Sequence, residues 1–205
     1  FVPVERPRRG PTSGELAVFG KTAQRARLDQ DYGIAFQQAG LLPWRTVGAN
    51  IGLPLELHGV GKAARDDRIR ELVELVGLAD FVDRYPHQLS GGMQQRVALA
   101  RSLSYGPDVL LMDEPFGALD ALTRRTMQEL LLEVWERHKL TVVLVTHDID
   151  EAVLTSDRVV VMSPRPGRVR EEIAVPIARP RHRADAEAPE FRTRAAQILR
   201  LIHEG

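Results

Sequence analysis

The chain has 205 residues, enough for one compact domain with a sizeable core, and its 28 basic residues balance 28 acidic ones. Zero formal charge argues against a general nucleic-acid binder, and 43% hydrophobic content is too high for a disordered chain. With no cysteine there are no disulfides or thiolate metal sites, and no apolar run approaches the roughly 18 residues of a membrane span.

In chain order, Pro11-Thr12-Ser13-Gly14 reads as a turn, Glu15 to Phe19 as a short strand and Tyr32 to Phe36 as another. Arg65 to Val76 has helical spacing, with Ile69, Leu72, Val73 and Val76 on one face and Gly77 as its stop. Gln94 to Ser104 is a second helix, and Pro107 then breaks the chain. Val109 to Met112 is a continuous apolar run, which suggests a strand buried on both faces of a parallel sheet. Thr123 to Arg137 reads as a helix, Thr141 to Val145 as a strand, Asp150 to Leu154 as a short helix and Arg158 to Met162 as a third apolar strand. Gly167 to Glu172 is a hairpin partner for the last strand, Arg179 to Ala188 an exposed linker, and Phe191 to Ile202 a terminal helix. Alternating strands and helices imply an α/β fold with a parallel sheet, and functional residues at the strand carboxyl ends.

Three groups of residues carry chemistry. Asp113-Glu114 ends an apolar strand with two adjacent carboxylates, one able to hold Mg²⁺ and one to act on an attacking water. A solvated acidic turn is the plainer alternative. His147 follows the next strand and would stand beside Glu114 in a parallel sheet, unless it is merely structural. In Leu89-Ser90-Gly91-Gly92-Met93-Gln94-Gln95-Arg96, Ser90 caps a helix whose first N–H groups are left open by Gly91 and Gly92, as suits a phosphate. An ordinary capped helix start has the same composition.

Together these segments resemble the ATPase subunits of ABC transporters. Leu89 to Arg96 is similar to the family's signature motif, Val109 to Glu114 to its Walker B strand, and Gly117-Ala118-Leu119-Asp120 to its D-loop. Val145-Thr146-His147-Asp148 resembles the switch-histidine segment, and Phe36-Gln37-Gln38 the Q-loop. The resemblance implies a RecA-like parallel sheet, formed from about residues 1–49 and 106–178, with a helical subdomain inserted at about 50–105 and a tail at 179–205. It implies ATP and Mg²⁺ as cofactors, Asp113 and Gln37 at the metal, Glu114 as general base, and His147 and Gln37 as sensors of the γ-phosphate. Ser90, Gly91, Gly92 and Gln94 would face the ATP held by a second ATPase subunit in a homodimer, and Asp120 would lie at the dimer contact. The implied function is ATP hydrolysis coupled to import at the cytoplasmic face of the membrane. The partners are then transmembrane permease subunits and, indirectly, an extracytoplasmic solute-binding protein. A catalytically silent ABC subunit and a soluble ABC ATPase outside transport are the alternatives.

Leu41-Leu42-Pro43-Trp44-Arg45-Thr46-Val47, the stretch from Asn50 to Gly59, and Ser163 to Val169 resemble the branch that imports nitrate, sulfonates or taurine. Trp44 fits either the permease-facing surface of that branch or a core aromatic. The family's P-loop, G-x-x-x-x-G-K-[ST], has no match: Gly14 to Thr22 places five strand-like residues between its glycines, so Lys21 is expected to be a decoy. Phe1-Val2 would be the remnant of an earlier strand. The natural protein is therefore expected to carry further N-terminal residues with a P-loop, and these 205 residues alone to bind ATP poorly.

Overall fold

The computed structural model describes residues 14–29 and 31–203, so Phe1-Val2 and the turn residues Pro11 to Ser13 lie outside the described residues. The described chain opens on a hairpin of β1 (Ala17–Val18) and β2 (Lys21–Thr22). Its turn residues, Phe19 and Gly20, have φ of 51° and 73°, the pair of positive values that a type I′ turn demands. Of the strand expected over Glu15 to Phe19, only Ala17–Val18 forms, and Phe19 enters the turn. The seven-residue helix α1 (Ala23–Asp29) follows, in a stretch without an apolar stripe. Lys21 pairs with Asp29 at 3.0 Å and Asp31 at 2.8 Å, which holds this hairpin to the end of α1.

After β3 (Tyr32–Phe36) come three helices, α2 (Val47–Leu57), α3 (Lys62–Leu75) and α4 (Gly91–Ser102). The helix α2 arises where Gly48, Gly52 and Pro54 weaken any helical pattern. Tertiary contacts decide it: Asn50 is fully buried, accepts from Leu42 N and donates to the Leu42, Arg45 and Thr46 carbonyls. Ile69 closes on Gly52, where a Cβ would lie 2.7 Å from its Cδ1. Trp44, in the loop that Asn50 pins, is 70% exposed, so it is not a core aromatic. The α3 helix ends at Gly77, whose φ of 65° is the left-handed stop its sequence suggested.

Next come β4 (Val109–Asp113), α5 (Ala121–His138), β5 (Thr141–Val145) and α6 (Ile149–Thr155), then β6 (Arg158–Met162), β7 (Val169–Ala174) and α7 (Pro189–His203). The strands β3, β4 and β5 form a parallel sheet with β4 central, in which Phe36, Asp113 and Val145 stand in one row. One face packs on α4 and α5 through Ala35, Leu110, Met112, Val97, Leu99 and Met127. The other carries Ile34, Phe36, Val143 and Val145, all exposed. The apolar run at β4 therefore has one fully buried face, not two, because the described helices cover only the Leu110 and Met112 side. A second core lies under β6, β7, α6 and α7, built from Val153, Val161, Ile173, Phe191 and Ile198. The hairpin partner β7 pairs antiparallel with β6, displaced two residues from its expected start.

The segment Arg179 to Ala188 is not an exposed linker. Arg181 is buried, and its guanidinium donates to the carbonyls of Val153, Ser156, Ile177 and Val175 and to Asp157. Arg179 stacks on Trp135 at 4.0 Å and donates to Thr155 O and Asp157. A planar five-donor group satisfies carbonyls from the end of α6 and from Val175 and Ile177 after β7, so Arg181 becomes interior structure although Pro180, His182, Ala184 and Glu187 stay exposed. Removing the Arg181 head would strand several buried acceptors at about 1–3 kcal/mol each. Arg181→Met is expected to lower stability to urea by about 3 kcal/mol or more, and Arg181→Lys to recover only part of it.

Candidate functional site

The ladder that joins β4 to β5 sets the site. Beyond the last strand pair, Glu114 N donates to Val145 O at 2.9 Å and extends the ladder by one rung. To make that bond and then turn away, Glu114 adopts a φ of 42°, a strained value for a residue with a side chain. The turn brings its carboxylate to 3.5 Å from His147 Nδ1, on the segment after β5. Gln37, directly after β3, flanks the same place: a Cβ on Gly117 would lie 3.4 Å from Gln37 Nε2 and 3.5 Å from Glu114 Oε2. Gly117 thus leaves room for both side chains. Asp113 is exposed on the open face of the sheet, in the row with Phe36 and Val145. The structure accordingly brings Gln37, Glu114 and His147 together and sets Asp113 beside them.

An exposed carboxylate at a strand end, with a glutamine on the neighbouring strand, suits Mg²⁺. That ion keeps several waters and takes one or two protein oxygens, with nucleotide phosphates supplying the rest. No cluster of three or more acidic, His or Cys residues that could hold a metal occurs among the described residues. Asp113 and Gln37 fit the group.

The signature segment begins α4. Ser90 caps it, its Oγ accepting from Met93 N at 3.3 Å. Gly91 is exposed and nothing lies within 4 Å of where its Cβ would be. Gly92 is buried for a different reason, because a Cβ there would lie 2.2 Å from Thr123 Cγ2. Gln94 turns inward on its own loop, donating to Pro86 O at 3.0 Å and Leu89 O at 3.4 Å. That engagement departs from the ligand-facing place expected of it. Asp120 caps α5, accepting from Leu122 N, Thr123 N and the Thr123 hydroxyl. The Thr123 hydroxyl and backbone N–H hold its carboxyl below the usual range.

Four further residues of this region have no site role in the sequence reading, although Gln95 and Asp148 lie inside its motifs. Gln95 is buried and spans from α4 to the ends of β3 and β4. Arg124 joins Leu119 O at 3.2 Å to Asp148 at 3.4 Å, and its Nε is buried without a partner among the described residues. Asp148 caps α6 through Glu151 N at 3.0 Å. Glu151 is buried behind His147, takes a hydrogen bond from Gln128 Nε2 at 3.2 Å, and burial raises its carboxyl pKa. Arg124, His147, Asp148 and Glu151 line a small concavity with Glu114 and Gly117. Only a long-range fold places these groups together, so local spacing does not reveal them.

A family model described as ABC transporter matches residues 7–117. An uncharacterized ABC transporter ATP-binding protein of Methanocaldococcus jannaschii is 48% identical over 190 residues, spanning 93% of this chain and 70% of that protein. A taurine import ATP-binding protein, TauB, of Roseobacter denitrificans is 44% identical over 196 residues, spanning 94% of this chain and 72% of TauB. Among solved structures, a dimeric ATP-binding cassette in a post-hydrolysis state with ADP and Pi superposes with a TM-score of 0.68 and 32% identity, over 83% of this chain and 77% of that one. The cbiO1 subunit of Clostridium perfringens, part of the cbiONQ transporter complex, gives a TM-score of 0.71 at 28% identity, over 80% of this chain and 67% of its own.

Two outcomes follow from the packing around this site. Gly92→Ala forces a methyl onto Thr123 and should destabilise the protein by about 1–3 kcal/mol, as overpacking does. Adding Thr123→Ser removes the clashing Cγ2, keeps the hydroxyl for Asp120, and should restore most of the loss in a double-mutant cycle. For Glu151, a folded-state pKa raised above the ordinary 4.5 means its stabilising contribution is present at low pH and lost as pH rises through the raised value. Glu151→Gln should flatten that decline, so that its stability relative to the unmodified protein grows from acid to neutral pH in thermal melts.

Proposed function

The chain belongs to the ABC transporter ATPase family and is an importer's ATP-hydrolysing subunit, and on that premise we propose which of its side chains perform the hydrolysis. Glu114 is the general base: its carboxylate orients and deprotonates the attacking water. His147, 3.5 Å away, holds that carboxylate's position and contacts the transferring phosphate. Gln37 senses the same phosphate from the neighbouring strand end, and Asp113 with Gln37 would hold Mg²⁺, which when bound would offset phosphate charge. The observation that carries this assignment is the strained φ of 42° at Glu114, which aims one carboxylate of the pair at His147 while Asp113 stays on the sheet face.

The open face of the sheet bears on the remaining phosphate contacts. Asp113 and Glu114 together repel a polyanion, so a cradle of backbone N–H groups with a lysine is required beside them. Lys21 does not supply it, since its ammonium is committed to Asp29 and Asp31. The exposed apolar row of Ile34, Phe36, Val143 and Val145 is a seat for such a segment.

The second phosphate surface is Ser90-Gly91-Gly92 on a partner subunit. Exposed Gly91 with empty space over its Cα supports this, as does the dimeric arrangement of the cassette seen with ADP and Pi. Two ATPase subunits would then close head to tail around ATP. The membrane partners would be permease subunits, a reading supported by the likeness to cbiO1, which is part of the ABC transporter complex cbiONQ. Exposed Trp44 and Leu57 flank a candidate contact for those subunits, and the site of action is the cytoplasmic face of the membrane. An extracytoplasmic binding protein would deliver the cargo, which is taurine or a similar small sulfonate or oxyanion, on the likeness to TauB. By the motifs, the chain would divide into a sheet core at 1–49 and 106–178, of which residues 14–29, 31–49 and 106–178 are described, a helical subdomain at about 50–105 and a tail at 179–205.

Glu114→Gln in the full-length protein is expected to lower ATP turnover by about 10²- to 10⁴-fold while nucleotide binding persists. Steady-state hydrolysis alongside equilibrium binding of ATP checks this. Turnover above half the unmodified rate would remove Glu114 from the role of base.

A further inference from the structure

We propose that Gln95 is a positioning residue that sets the spacing between Gln37 and Glu114, a step that rests on the hydrolytic roles given to those two residues. The Gln95 side chain is buried at 5% exposure, and its single amide nitrogen donates to Phe36 O at 2.8 Å and to Pro115 O at 2.8 Å. Phe36 immediately precedes Gln37, and Pro115 immediately follows Glu114. Both amide hydrogens are therefore spent on the backbone adjoining the two reactive side chains.

The location matters because the β3–β4 ladder ends at Phe36 and Asp113. The regular β3–β4 pairing stops at that pair, so among the described residues no β3–β4 rung ties Gln37 to Glu114. Gln95 supplies the missing cross-link from outside the sheet. Among the described residues no backbone N–H bonds to Pro115 O, so the Gln95 amide is what satisfies that buried acceptor. Gln95 also stands on α4, four residues after the Gly91 that begins it. One side chain thus ties three segments: the strand end before Gln37, the turn after Glu114, and the helix whose amino end carries Ser90 to Gly92. A shift of α4 along its axis would move both reactive strand ends together.

The near-isosteric replacements do not do this. Methionine has the same length and volume but no donor. Glutamate has the reach but, ionised, turns an anion on two carbonyl oxygens. Asparagine keeps the amide but falls one methylene short of both acceptors.

The test compares Gln95→Met and Gln95→Glu with Glu114→Gln in the full-length ATPase, by steady-state kinetics, ATP affinity and thermal melting. A displaced catalytic group costs about 10²-fold for an ångström, so Gln95→Met should lower kcat by roughly 10- to 100-fold while KM and ATP affinity stay within about threefold. Gln95→Glu should be slower still at neutral pH. Its kcat relative to the unmodified protein should rise as pH falls, because the protonated acid regains one O–H donor. If Gln95→Met accumulates poorly as folded protein, Gln95→Asn serves in its place and should show the same loss in kcat. Gln95→Met retaining more than half of kcat would overturn the proposal, and so would losses of kcat and ATP affinity in equal proportion, which mark simple packing. If Glu114→Gln itself keeps full turnover, the hydrolytic roles fail and this inference fails with them, a result distinct from a failure confined to Gln95.

Discussion

Parallel strands in register deliver their last residues side by side, and the site is a consequence of where three such strands stop. Phe36, Asp113 and Val145 occupy one row, so the residues that follow must emerge within a few ångströms of one another. The bond from Glu114 N to Val145 O carries the ladder one step past its regular end. That extra bond forces the chain to turn with positive φ, since the next residues leave the sheet toward Pro115 and the Gly117 segment. The strain at Glu114 is thus the cost of separating two adjacent carboxylates, one left on the sheet face and one turned to His147. Two neighbouring carboxylates with the same environment would compete for one cation; these do not share an environment.

Around the apolar core, long polar side chains end on backbone carbonyls of the connecting loops and helix ends. Arg101 donates to Ala39 O at 2.8 Å and Gly40 O at 2.9 Å, and Arg68 donates to Leu103 O at 2.8 Å and Ser104 O at 3.2 Å. Asn50 does the same for the Leu42 to Thr46 loop, and Arg181 for the end of α6. Loops that connect a sheet to a helical layer carry unpaired carbonyls into the interior, and each must find a donor. A long cation or amide reaches such groups without moving the backbone. Polar residues that read as surface in the sequence are therefore structural here.

This explains what the sequence made legible. The strands β3, β4, β5 and β6 and the helices α3, α4 and α5 follow from apolar runs and helical stripes, because periodicity survives in the local sequence. The carboxylate pair, His147 and the Ser90 cap follow from motif and position. The helix α2 does not, since Pro54 and two glycines hide it and buried Asn50 together with Ile69 supplies its stability. Arg179 to Ala188 fails as a linker for the same kind of reason: charge suggests solvent, while four carbonyls and Trp135 take the guanidinium groups inside. Gln95 lies within the signature segment, yet the sequence gives the ligand role to its neighbour Gln94. One residue along a helix is a turn of about 100°, enough to send Gln95 to the strand ends and Gln94 back to its own loop.

Asp120 shows how a motif residue acts once its geometry is known. Three hydrogen bonds from the start of α5 already occupy its carboxylate, and they hold it in the charged form. A group so engaged has little capacity left for a new partner, yet it fixes Thr123. Thr123 in turn presses on Gly92, where only hydrogen fits. The start of α5 and the start of α4 are thereby locked to each other through a cap on one helix and a missing side chain on the other. Gly92 is small because of its own chain, whereas Gly91, one residue earlier, is small with nothing of its own chain against it. Two adjacent glycines in one motif thus have separate causes: the first leaves open space beside the start of α4, and the second lets α4 pack against Thr123 at the start of α5.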